Sequence, residues 1–175
     1  MKLLLILLIL ASCGKNELDD LIRINTEKDP RKTLTTDETF IKYIELFRQD
    51  HITFTGYNIN LSKIPINFGT IKKGYLGVCF YYGKNGRWGE VKIDKSLWEN
   101  LNEKEKELLI NHELGHCALD RRHNDDTHEN VPISLMNTYH IGNNYGKYTK
   151  AYLIELFTKN TDIIKAEISE VTQWN

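Results

Sequence analysis

The spacing of apolar residues changes from stretch to stretch along this chain, and each regime predicts an element. Leu3 to Leu10 is an unbroken apolar run behind Met1-Lys2, too short for a stable transmembrane helix. Thr36-Asp37-Glu38 has the composition of a helix start. Phe40, Ile41, Ile44 and Phe47 then recur at helical spacing, and this helix is expected to end before His51. Ile52–Gly56 and Tyr57–Leu61 alternate with period two and predict strands. Ile64-Pro65-Ile66 predicts an edge or irregular segment, because proline cannot donate to a sheet ladder. Tyr75–Tyr82, the turn residues Gly83–Gly86 and Arg87–Ile93 together predict a β-hairpin, with Trp88 as a core side chain.

Asn102, with Glu105 three residues on, has the form of a capping box and opens a helix. Its first turn, Glu103 to Glu107, alternates acid and base and is solvated, whereas Leu108, Leu109, His112 and His116 define an inward side. A last helix is expected from about Thr149 to Lys159, docked through Tyr152, Leu153, Leu156 and Phe157.

At 175 residues the chain suits one domain with a real core. A net charge of −1 with no dense basic patch argues against a nucleic-acid partner, and a monomer is expected. Leu10-Ala11-Ser12-Cys13 resembles the lipobox of bacterial lipoproteins. The resemblance implies a signal peptide over 1–12, cleavage before Cys13 and lipidation of that cysteine. The protein would then be exported and anchored to the cell envelope, at the outer membrane or cell surface. Residues 13–35 are mostly polar and read as a flexible tether, whose Glu17, Asp19 and Asp20 are candidates for masking a metal site. Export permits a Cys79–Cys117 disulfide, and two buried thiols are the alternative.

The chemistry concentrates in His112-Glu113-Leu114-Gly115-His116. Four residues of α-helix turn the chain through about 400°, so both histidines project from one face, spaced for one metal ion. Glu113 points to the side of that face, where it can take a proton from water without ligating the ion. Gly115 costs about 1 kcal/mol relative to alanine inside a helix, so a close neighbour or ligand is expected there.

With Ser134-Leu135-Met136 downstream, this stretch resembles the metzincin metallopeptidases, particularly bacterial matrixin-like members. That family extends the motif to H-E-x-x-H-x-x-G-x-x-H and follows it with a methionine-bearing turn beneath the metal. The resemblance implies Zn²⁺ held by His112, His116 and His123, a Met-turn at Met136 and catalysis by Glu113. Tyr139 is a candidate partner for the transition-state oxyanion, with His140, Tyr145 and Tyr148 as alternatives. Two positions depart from the family: Leu119 stands where it has glycine, and Arg122 where it has the third histidine, one residue before His123. The third ligand therefore stays open among His123, His128, Asp120 and Glu155.

The fold so implied is α+β and zincin-like. It has a twisted mixed sheet, a central active-site helix and a small C-terminal subdomain ending in a helix. The domain would span 36–175, divided into an upper part over 36–118 and a lower part over 119–175. The implied function is a zinc-dependent endopeptidase acting on peptide or protein substrates. The alternative is a non-catalytic exported lipoprotein with a structural zinc site that binds a protein or glycan partner.

Overall fold

The computed structural model describes residues 22–24, 35–82, 88–139 and 141–172. The expected signal peptide, Cys13, the acids at 17–20, the hairpin turn over 83–86 and His140 lie outside the described residues.

The fold is α+β. A four-stranded sheet has the order β1-β3-β4-β2, from β1 (Ile22–Ile24), β2 (Ile66–Phe68), β3 (Gly77–Tyr82) and β4 (Trp88–Ile93). β3 and β4 form the expected antiparallel hairpin pair, with Gly77 opposite Ile93 and Tyr82 opposite Trp88. β1 adds in parallel to β3, and β2 in parallel to β4. Ile22–Ile24, inside the segment read as a tether, thus belongs to the sheet. A short helix α2 (Lys95–Trp98) leads into α3 (Glu103–Leu119), the helix that carries the histidines. α3 touches β3 and β4 as well as α1 (Ile41–Thr55) and α4 (Gly142–Thr158), and so runs through the middle of the molecule. Its Ile110 and Leu114 are fully buried, as are Phe40, Phe47, Ile66 and Ile93 around it. A two-stranded ribbon, β5 (Thr127–His128) with β6 (Val131–Pro132), precedes α4, and α5 (Asp162–Thr172) packs on α4.

Three expectations need correction. α1 does not stop before His51 but continues to Thr55, so no strand forms over 52–56. Phe47, His51 and Phe54 follow one another at helical spacing, and all three rings meet Phe157 of α4. That shared contact outweighs the strand preference of the Ile52-Thr53-Phe54-Thr55 alternation. Gly56 then ends the helix in the left-handed region at φ 77°, its amide bonded to the Ile52 carbonyl. Residues 57–61 form no strand either, and β2 begins only past Pro65. Finally, α4 starts at Gly142, and Thr149 marks only its second part, beyond non-helical geometry at Tyr148.

β3 is fastened to α3 along one face. Its alternate residues Gly77, Cys79 and Tyr81 all point at the helix, as strand periodicity requires. Gly77 lies against Glu113, Cys79 forms a disulfide with Cys117, and the Tyr81 hydroxyl donates to the His116 carbonyl. The disulfide joins residues 38 apart in sequence, with Cα atoms 5.6 Å apart. Chain-entropy arguments give a loop of that length about 4 kcal/mol of stabilisation, less whatever native distortion it imposes. Urea unfolding of the Cys79→Ser/Cys117→Ser chain should therefore show a loss of about 2–4 kcal/mol. An unchanged midpoint would mean that the β3–α3 contact holds without the covalent link.

Candidate metal centre

α3 begins with the capping box expected from its sequence. The Asn102 side chain accepts from the amides of Lys104 and Glu105, and Glu105 accepts from the Asn102 amide at 2.8 Å. One face of the helix then passes inward, and His112, Glu113 and His116 are all buried. The helix stops at Leu119. Asp120 takes the left-handed conformation at φ 51°, a region where Asp is tolerated better than most residues. The amides of Asp120 and Arg121 bond back to the carbonyls of His116 and Gly115. The turn thus needs no glycine at 119, and the additional residue before His123 is absorbed by doubling the chain back one position later.

That reversal brings His123 over the helix. The Nε2 atoms of His112, His116 and His123 lie 3.1, 3.2 and 3.2 Å apart. Their roles follow from the other ring nitrogens. His112 donates from Nδ1 to the Leu135 carbonyl at 3.0 Å, and His116 donates from Nδ1 to the Arg121 carbonyl at 2.7 Å. Carbonyls only accept, so both Nδ1 atoms carry the proton, and both Nε2 atoms present lone pairs to each other. Two lone pairs at 3.1 Å do not form a hydrogen bond. A cation between them resolves the repulsion. Three nitrogens bound tetrahedrally at about 2.0–2.1 Å would sit about 3.3 Å apart, close to the spacing observed. These three residues could hold a metal ion, and they are the group that the geometry brings together among the described residues. Burial pushes the His116 imidazole down to about 3, helped by the neighbouring His123 and opposed by the bond to Arg121. Its neutral, ligating form therefore prevails at ordinary pH.

The other candidates are sorted by the same geometry. His128 bonds Ser169 of α5 at 2.9 Å, and Asp120 is exposed. The carboxylate of Glu155 receives Arg121, the Ser134 hydroxyl and the Leu135 amide, and is not one of the clustered donors. The Tyr145 hydroxyl donates to Glu107 at 2.7 Å and accepts from Asn111, and Tyr148 is buried in the core. Tyr139 is 43% exposed and stands on the wall of a cleft beside His112 and Glu113. That cleft, about 370 Å³ with its open mouth, is walled by Leu76, Leu108, Leu109, Leu135 and Ile141.

Gly115 and Met136 explain one another. A Cβ on Gly115 would lie 2.5 Å from the Met136 sulfur and 3.0 Å from Leu156. The helix accepts its glycine so that Met136, fully buried, can press against it beside His116 in the chain. Gly77 plays the same part on the other side, since a Cβ there would fall 2.8 Å from the Glu113 carboxylate.

Sequence reasoning did not single out Arg121 or Tyr81, and it kept Glu155 open as an alternative ligand. A charged residue inside Tyr152-Leu153-Ile154-Glu155-Leu156-Phe157 signals a buried partner, but not which partner. Comparison with family models, with curated proteins and with solved structures finds no match.

The cluster makes a direct prediction. The chain should bind one Zn²⁺ in competition with a chelator, and His123→Ala should weaken that binding by more than about 100-fold, beyond what loss of an outer-shell contact costs. Equal affinity in parent and variant would remove His123 from the site.

Proposed function

We propose that this chain is a zinc-dependent endopeptidase of the metzincin type, with His112, His116 and His123 as zinc ligands and Glu113 as general base. The observation that carries this reading is the convergence of three imidazole nitrogens, with the buried carboxylate of Glu113 and His112 both lining an apolar cleft. Imidazole suits several transition metals. Zinc is favoured because three protein ligands with one position left for water is the usual catalytic zinc arrangement. Among the described residues the donor cluster has three members, the number of protein ligands usual for catalytic zinc.

Bound there, zinc supplies Lewis-acid polarisation and a water of lowered pKa. The remaining steps belong to the chain. Glu113 takes the proton from the attacking water as the peptide carbonyl is converted to a tetrahedral centre, then gives it to the departing amine. Gly77 leaves the space in which that carboxylate sits. Tyr139, on the cleft wall, donates its hydroxyl to the developing oxyanion.

The substrate lies extended along β3. Asp94 donates to the Leu76 carbonyl, so in the antiparallel register Leu76, Val78 and Phe80 exchange bonds with β4. Gly77 and Cys79 then direct their amides and carbonyls to the opposite edge. On that edge β1 pairs with Phe80–Tyr82 and, by parallel-ladder geometry, takes up the Cys79 carbonyl, so a substrate would pair at Gly77 and the Cys79 amide. β4 is less suited, because β2 occupies its outer edge over Val91–Ile93. The cleft receives an apolar side chain next to the scissile bond.

Lipidation at Cys13 and export complete the proposal. The Cys79–Cys117 disulfide supports an oxidising compartment. No helix among the described residues is long and apolar enough to cross a membrane.

The test is hydrolysis of a quenched-fluorescence peptide library by the zinc-loaded chain. Cleavage should favour peptides with a large apolar residue beside the scissile bond. Glu113→Ala should keep its zinc while kcat falls by about 10²–10⁴-fold. Parent-like turnover in that variant would exclude Glu113 as the base, and a zinc-loaded parent inert on every peptide would exclude the endopeptidase.

A further inference from the structure

We infer that Glu155 is the positioning residue of the metal centre: one buried carboxylate on α4 fixes the backbone groups that aim His112 and His116 and braces the segment beside His123. The inference rests on the proposed metal site, in that it needs an ion at the three Nε2 atoms.

Glu155 is fully buried, and a charge so placed persists only if it is paired and hydrogen-bonded. Its partners are specific. Oε1 receives the Arg121 guanidinium and, at 3.0 Å, the Ser134 hydroxyl; Oε2 receives the Leu135 amide at 3.1 Å. Two of the partners lead directly to a histidine. Leu135 turns its carbonyl to His112 Nδ1, and Arg121 turns its carbonyl to His116 Nδ1. Ser134 passes the restraint on through its oxygen, which accepts from the Met136 amide at 3.0 Å. The Met136 carbonyl in turn accepts from the amide of Asn124, the residue after His123, at 2.9 Å. Arg121 is held further by the carbonyls of Glu155 and Leu156, so its backbone cannot shift without breaking contacts to α4.

The chemistry of the site requires a carboxylate. Every group facing Glu155 side-chain oxygens is a donor: a guanidinium, a hydroxyl and a backbone N–H. A glutamine would turn its own NH₂ on one of them and leave two donors face to face. The acceptors that orient His112 and His116 also fix which ring nitrogen carries the proton. Loss of such partners typically costs about 10- to 100-fold in metal affinity. A purely structural ion pair would behave differently, since a buried pair can often be exchanged for apolar residues of similar volume without loss of stability.

The experiment titrates the full chain with Co²⁺ alone, reading the visible absorption bands and the affinity, with thermal unfolding of the metal-free chain alongside. The variants are Glu155→Gln and the double Arg121→Met/Glu155→Leu. The parent should bind one Co²⁺ with the intense bands of a tetrahedral site. Glu155→Gln should bind it about 10- to 100-fold more weakly, with shifted bands. The double variant should show the same loss and unfold at a lower temperature than the parent, because the Ser134 hydroxyl and the Leu135 amide lose their acceptor. Parent-like affinity and bands in either folded variant would overturn the positioning role and leave the metal site standing. Should the double variant not fold, Glu155→Gln, which keeps shape and volume, decides alone. A folded parent that takes up no Co²⁺ would overturn the metal site and this inference together.

Discussion

Three imidazole Nε2 atoms are held within 3.2 Å of one another, and much of the molecule works to keep them there. Helix α3 supplies two of them through the spacing of one turn. The third must come back over the helix end, which demands a reversal within a few residues. Asp120 makes that reversal at φ 51°, and the backbone bonds from Asp120 and Arg121 to the last helical turn hold it. Met136 presses on Gly115, and the carbonyls of Leu135 and Arg121 keep the two helix histidines in one tautomer. Because the His112 and His116 lone pairs face each other without an ion, ion binding there would be coupled to local stability.

The opposite side of α3 is governed by strand β3. Three alternate residues carry out three different tasks on the same helix: Gly77 makes room for Glu113, Cys79 bonds to Cys117, and Tyr81 grips the His116 carbonyl. One covalent bond and one hydrogen bond thus set the distance between the proposed base and the edge on which the proposed substrate would lie. The proposed chemistry needs that rigidity, since a base displaced by an ångström loses much of its effect. The apolar cleft opens between this strand and the segment from Leu135 to Ile141, so its walls come from both ends of the fold.

What the sequence made legible follows from how local the cause is. The capping box at Asn102, the inward stripe of α3 and the β3–β4 hairpin depend on neighbours in sequence, and all appear where periodicity put them. The cost of Gly115 pointed to a close neighbour, and Met136 is that neighbour. The course of α1 past His51 depends on Phe157, more than a hundred residues away, and no local pattern carries that information. α5 was missed although Ile164 and Ile168 stand at helical spacing and are buried. The ligand set was legible as a short list. Choosing His123 from it required the turn at Asp120, and demoting Glu155 required its donors, Arg121 and the Ser134–Leu135 segment.

The central claim is that His112, His116 and His123 hold one zinc ion with a position left open for water. The most direct measurement is anomalous diffraction at the zinc edge from crystals of the full chain grown with zinc. A single strong peak is expected at about 2.0–2.1 Å from the Nε2 atoms of all three histidines, with its remaining ligand a water oxygen. A peak bound elsewhere, or one whose fourth ligand is a protein side chain such as His128, would contradict it.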